Sequence, residues 1–318
     1  MTMVEPEVAL TGMPVASPIG FMAALGLLRV CAQDHGLPVR LSWTDNHAVL
    51  HGVEAAALRE LLAEHMRGRA EAPEFNFEAS DEEGRRGIAL HIRTIRPADF
   101  RTAAAAMQGD ARALGFLAGF ATDSVVNDKG FVARSRFDFT SANQKLLHEL
   151  RRLALELSPE RKRPRVPLAD RIERALYGGP YEDWHSLGWD PVTLMTHAHQ
   201  RLAPTDSATP GQPMLLWLAI ESLPLHPVVP TSSRRATTVG FAGSHTYVWP
   251  QWREPLSLAE VRLLRQRPVD SLERLPGVEA LWSSAVTSVG KFGFFLPAAR
   301  TSSDAALQGR FARRESAD

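Results

Sequence analysis

Residues 19–32 are apolar on nearly every face of a 3.6-residue repeat, which predicts a helix buried all round. Ser17 and Pro18 supply its N-cap and first turn, and it stops near Gly36. Residues 39–43 and 48–53 alternate around Thr44-Asp45-Asn46-His47, the pattern of a hairpin, and 54–67 is an amphipathic helix. Residues 74–79 and 88–93 pair across Ser80-Asp81-Glu82-Glu83-Gly84, whose charge run reads as a solvated tip. An alanine-rich helical region spans 98–121 and breaks near Gly109-Asp110. Asn127-Asp128-Lys129-Gly130 then turns Val125-Val126 into 131–139, and Ser141 with Gln144 forms a capping box for a helix over 143–157.

The prolines of 158–167 cannot continue a helix, and the segment is dense in positive charge. The expected organisation is an α+β protein of two lobes: an N-terminal mixed hairpin and helix lobe (1–157), a basic Pro-rich linker (158–168) and a helix-rich C-terminal lobe with long loops (169–318). That second lobe is expected to hold helices at 169–177, 214–223 and 258–267, a strand near 237–241, and loops around Trp184 and Trp189. Residues 306–318 read as a frayed polar tail.

Composition narrows the class. A chain of 318 residues with 44% hydrophobic and 23% charged residues can bury one large core or two modest ones. Lys+Arg and Asp+Glu balance at 36 each, so no global positive field steers it to nucleic acid, and any such binding needs local basic patches. Cys31 is alone, which excludes an internal disulfide and a multi-cysteine metal site. No run of about 18 apolar residues exists to span a bilayer, and the acidic start is unlike a signal peptide. A cytoplasmic protein with no membrane partner is expected.

Enzyme signatures are mostly missing. There is no Gly-x-Ser-x-Gly, no His-Glu-x-x-His, and no phosphate-binding loop, since the residue after Gly290-Lys291 is Phe292. His197 and His199, two apart in a predicted helix, point to different faces. Cys31 sits among Leu27, Leu28 and Val30, which suits a buried thiol of high pKa. Asp110, Asp123, Asp128 and Asp138 lie close in sequence and would suit Mg²⁺-dependent phosphodiester cleavage, although caps and turn tips account for each of them. No cofactor is called for.

The remaining candidates are basic and amide-bearing. Lys129 lies at a hairpin tip, with Arg134 and Arg136 on one face of the strand that follows, a set able to clamp phosphates. Ion pairs with Asp123 or Asp138 on a solvated face explain the two arginines equally well. Asn143 suits a base edge, while Gln144 suits the cap. Arg161, Lys162, Arg163 and Arg165 form either a backbone-contacting cluster or a solvated linker. Arg234 and Arg235, among Ser232, Ser233, Thr237 and Thr238, are the favoured phosphate contacts, and Lys291 joins this basic set. Trp189, Trp249 and Trp252 are read as core or as anchors of a protein interface, in preference to stacking platforms for bases.

Several blocks carry a family resemblance. Trp189-Asp190-Pro191, the apolar helix ending in Glu221-Ser222-Leu223-Pro224, Thr237-Thr238-Val239-Gly240-Phe241 and Trp249-Pro250-Gln251-Trp252-Arg253-Glu254-Pro255-Leu256 resemble the C-terminal half of short large-subunit-like proteins of type I-G (formerly I-U) CRISPR interference complexes. The start, Leu10-Thr11-Gly12-Met13-Pro14 and then residues 21–30, is similar to how those proteins begin. The resemblance implies a non-enzymatic, nucleic-acid-binding subunit of an RNA-guided complex. Its partners would be guide RNA, target double-stranded DNA and the other interference subunits, with recognition of a flanking motif and support of the opened duplex. The chain is short for a full large subunit, and no motif-reading residue carries over. Two other classes stay open: the metal-dependent nuclease built on Asp110 to Asp138, and a protein-only scaffold anchored by the tryptophans.

Overall fold

The computed structural model describes residues 5–140, 145–191, 210–232, 234–289 and 292–301. Strand β1 (Glu7–Pro14) leads into α1 (Pro18–Arg29), whose every residue is buried, as its all-round apolar pattern requires. Ser17 Oγ accepts the Gly20 amide at 3.3 Å, with Pro18 in the first turn. A π-helical turn, Val30–Asp34, widens the end of α1 and brings Asp34 back to Arg29, five residues earlier. Next come β2 (Arg40–Trp43), β3 (His47–His51), α2 (Ala55–His65), the β4 (Glu78–Ser80) and β5 (Arg86–Ile88) hairpin, α3 (Pro97–Ala106) and α4 (Ala111–Phe120). Asp110 caps α4 by accepting the Ala113 amide at 2.9 Å. The charges between β4 and β5 pair with one another, Arg85 with Asp81 and Glu83, and Arg86 with Glu78.

β6 (Ala121–Val126) and β7 (Val132–Arg134) form the expected second hairpin, followed by α5 (Leu146–Glu156) and α6 (Leu168–Tyr177). The remainder holds β8 (Glu182–Asp183), β9 (Pro210–Gly211), α7 (Pro213–Glu221), β10 (Val228–Ser232), β11 (Arg235–Thr238), β12 (Phe241–Ala242), β13 (Thr246–Trp252), β14 (Leu256–Ser257), α8 (Leu258–Arg265), α9 (Val269–Leu272), β15 (Val278–Val289), β16 (Phe292–Phe295) and β17 (Ala299–Thr301). The protein is α+β with antiparallel sheets, but this half is not helix-rich. Its centre is a five-stranded sheet, β12-β13-β15-β16 in order, with β17 also pairing β15. The expected strand near 237–241 splits into β11 and β12 at Gly240, which takes φ +94°.

One buried cluster runs from Val8 to Phe295, because elements distant in sequence complete each other. The first sheet is ordered β1-β3-β2-β14, its last strand coming from beyond residue 250. Helix α1 lies directly on α7: a Cβ built on Gly26 would stand 1.7 Å from the Leu218 carbonyl oxygen. The indole N–H groups of Trp249 and Trp252 donate to the carbonyls of Val15 and Leu41 at 2.9 and 2.8 Å. Pro250 is tolerated inside β13 because, beyond Tyr247, that strand pairs with β15 on one side only. Among the described residues no helix is long and apolar enough to cross a membrane.

Candidate nucleic-acid interface

The chain between residues 134 and 140 is pinned from several directions while its arginines face outward. Asn127 shapes the preceding turn, its Oδ1 accepting the amides of Lys129 and Phe131 at 3.0 and 3.1 Å, with Gly130 at φ +80°. Lys129 is exposed at this tip. Strand β7 ends at Arg134, so Arg134 and Arg136 do not share a strand face as expected: Arg134 closes the strand and Arg136 projects from the turn that follows. The Ser135 amide donates to the Phe120 carbonyl at 2.8 Å, and the Arg136 amide donates to Thr238 Oγ1 at 2.8 Å. The Trp189 indole donates to the Phe137 carbonyl at 3.0 Å. The Phe137 ring is enclosed by those of Trp189, His226, Phe241, Tyr247 and Phe295, with centroids 5.1 to 6.2 Å away.

Charge on this turn is unbalanced. Arg134 Nη1 donates to Asp138 Oδ2 at 2.9 Å, and Asp138 also accepts the Thr140 hydroxyl and, at 3.2 Å, the Thr140 amide. The ion-pair reading is therefore right for Arg134. Arg136 has no carboxylate partner among the described residues, and its pKa is lowered by partial burial and by the repulsion of Arg134. His91 is lowered by burial, then by Arg93 and Lys145, and pulled the other way by Asp138, which places these groups in one electrostatic neighbourhood. Arg93 and His91 are in contact, Nη2 to Nδ1, at 3.2 Å.

The second arginine pair lies on the adjoining hairpin. Strands β10 and β11 pack along β6, and the Thr238 bond ties the base of this hairpin to Arg136. Arg234 and Arg235 stand exposed at its tip, in no ion pair among the described residues. Lys129, Arg134, Arg136, Arg234 and Arg235 thus belong to two hairpins packed on each other, where Asp138 binds Arg134, Asp123 binds Arg101, and Asp128 is exposed beside Lys129.

Other candidates are placed differently. Arg161, Lys162, Arg163 and Arg165 are exposed on the crossing from α5 to α6, where Arg161 pairs with Glu156 and Glu160 reaches Arg67 of the α2 end at 3.1 Å. Asn143, Lys291, the Ser141 and Gln144 cap, His197 and His199 lie outside the described residues. Trp189, Trp249 and Trp252 are 0, 0 and 2% exposed, which corrects their reading as interface anchors: each indole is spent on a carbonyl inside the core. Cys31 is buried as expected, and burial followed by the nearby Asp34 pushes its thiol up to about 12.

The structure does not gather the four aspartates of the nuclease reading. Asp110 caps a helix, Asp123 pairs with Arg101 at 3.1 Å and Asp138 holds Arg134. Among the described residues, the group able to offer a shared ion its ligand atoms is Asp34, His65 and Glu221, within 4.8 Å of one another. Those atoms already face guanidinium groups. Glu221 receives Arg29, Arg69 and His65, and Asp34 receives both terminal nitrogens of Arg29. A divalent cation would have to displace two buried arginines, so the cluster fits a structural tie joining α1, α2 and α7.

The chain matches no family model and no curated protein. Sequence reasoning missed His91, Arg93 and Lys145 because no periodicity marks them, and only tertiary packing brings Lys145 and Asp138 into the field of His91.

Proposed function

We propose that this chain is a non-catalytic, nucleic-acid-binding subunit of an RNA-guided CRISPR interference complex, working in the cytoplasm with guide RNA, target DNA and the other subunits. The reading rests on one observation: two packed hairpins carry five cations, Lys129, Arg134, Arg136, Arg234 and Arg235, against three aspartates, of which Asp123 pairs with Arg101 and Asp138 with Arg134. Such an excess of cations on a rigid support suits phosphate oxygens, which set affinity without reading sequence. With zero net charge overall, this local field works best inside an assembly whose other members hold the nucleic acid nearby. The resemblance of the 187–256 region supplies the class of complex. The scaffold reading loses its anchors, since the three tryptophans are buried.

Co-expression with the other interference subunits and a guide RNA tests the reading. The chain is expected to enter a large ribonucleoprotein. Replacing both Arg234 and Arg235 with Ala is then expected to leave assembly intact and to remove about two units from the salt-dependence slope of duplex binding. A chain that elutes alone, or a double variant with unchanged affinity and slope, would defeat the proposal.

A further inference from the structure

An open cleft of about 410 Å³ lies beside the Arg134 turn, in the size range of small-ligand sites. One wall is the 134–140 segment and the other is the hairpin of β15 and β16. The walls meet closely because residue 293 is glycine: a Cβ there would press on Phe139 at 3.2 Å, and the Gly293 amide donates to the Phe139 carbonyl at 3.3 Å. The lining combines a guanidinium (Arg134) with the Asp138 carboxylate that it binds, an imidazole (His245), the hydroxyls of Thr287 and Ser288, and Phe139.

We propose that this cleft takes one phosphate-linked nucleotide of a single strand, an inference that rests on the nucleic-acid reading above. Arg134 is poised for it. A guanidinium has five N–H donors, and the Asp138 bond at 2.9 Å commits one of them, which leaves the rest for a phosphate. Asp138 is itself fixed by Thr140, so the arginine is held in place before any ligand arrives. The hydroxyls of Thr287 and Ser288 suit the remaining phosphate oxygens. The volume is of the size that accommodates one nucleotide. Charge agrees with geometry: Arg134 holds Asp138 while Arg136, on the neighbouring turn, has no carboxylate partner among the described residues, and an anion in the cleft offsets this excess.

Asp138 acts as a positioning residue, and the sign of its effect tests this. If it were merely a nearby negative charge, neutralising it would strengthen anion binding. Through Arg134, neutralising it weakens binding. The experiment titrates the purified full chain with fluorescein-labelled hexathymidylate at several salt concentrations, with inorganic phosphate and a duplex of equal length as competitors. Arg134→Gln is expected to weaken hexathymidylate binding about ten-fold and to take about 0.7 from the single-strand salt slope. Asp138→Asn is expected to weaken it several-fold, and Thr287→Val with Ser288→Ala, on an exposed strand where folding is not at stake, about three-fold. Inorganic phosphate should displace the strand at high concentration, and the duplex should compete less well than unlabelled hexathymidylate. The inference falls if the wild-type chain does not bind hexathymidylate at low salt. It falls equally if the Thr287→Val, Ser288→Ala variant binds unchanged, or if Asp138→Asn binds more tightly. Should Arg134→Gln bind hexathymidylate normally while the Arg234→Ala, Arg235→Ala complex loses duplex affinity, the cleft assignment fails and the functional reading stands.

Discussion

Replacing Glu221 with Gln probes the tie that joins the two ends of the core. Glu221 is 0% exposed at the end of α7, where its carboxylate receives Arg29, Arg69 Nε and Nη2 at 3.1 and 3.0 Å, and His65 Nε2 at 3.0 Å. Arg29 and Arg69 are 0 and 2% exposed. Gln preserves the shape and removes the charge. Each arginine keeps one carboxylate, Arg29 with Asp34 at 2.9 Å and Arg69 with Glu74 at 2.8 Å, so the loss should fall at the lower end of the about 3–5 kcal/mol typical of a broken buried pair. Burial raises the Glu221 pKa, but Arg69, Arg29 and His65 together outweigh it and hold the carboxyl well below the usual range. With the folded value depressed, the stabilisation is complete above the unfolded value, about 4.3, and disappears as pH falls through the folded one. Urea unfolding followed by tryptophan fluorescence is expected to show Glu221→Gln about 3 kcal/mol less stable at pH 7, the gap narrowing in strongly acid solution. A deficit below about 1 kcal/mol at pH 7, or a gap that widens with acid, would refute the tie.

His226 is fully buried between the Ser222 carbonyl and the Tyr247 hydroxyl, and burial, followed by the nearby Arg265, drives its pKa well below the ordinary value. Protons bind the unfolded chain first, so stability should fall as pH drops below about 6.5, and His226→Gln should flatten the melting temperature profile between pH 7 and 5; an equally steep profile in the variant would count against this. Gly26→Ala should destabilise by about 3 kcal/mol, the upper end for overpacking, because the new methyl meets the α7 backbone rather than a movable side chain. Chemical denaturation that finds Gly26→Ala as stable as the parent would show that α1 and α7 separate easily.

Much of the local structure was legible in the sequence. The Ser17 cap, the all-round apolar α1, the β2 and β3 hairpin, the break at Gly109-Asp110 and the Asn127 turn all follow from short-range chemistry: caps, turn residues and periodicity act within a few residues of themselves. Lys129, Arg134, Arg136, Arg234 and Arg235 were likewise visible as a basic set on loops. Their grouping was not. It depends on the Arg136 amide meeting Thr238 Oγ1 across 102 residues, and on Trp189 reaching the Phe137 carbonyl across 52. The tryptophans, read as core or interface anchors, could not be assigned to the core from the Trp-Pro-Gln-Trp run alone, because β15 and the Val15 and Leu41 carbonyls that enclose it are distant in sequence. The basic segment 158–168 reads as a boundary from its prolines. Whether a core divides is decided by which distant surfaces bury each other, and here α1 lies on α7 while β14 completes the sheet of β1 to β3. Residue types determined which elements form and which side chains carry charge. Long-range burial, a sum over partners that no local window contains, decided which of those charges meet.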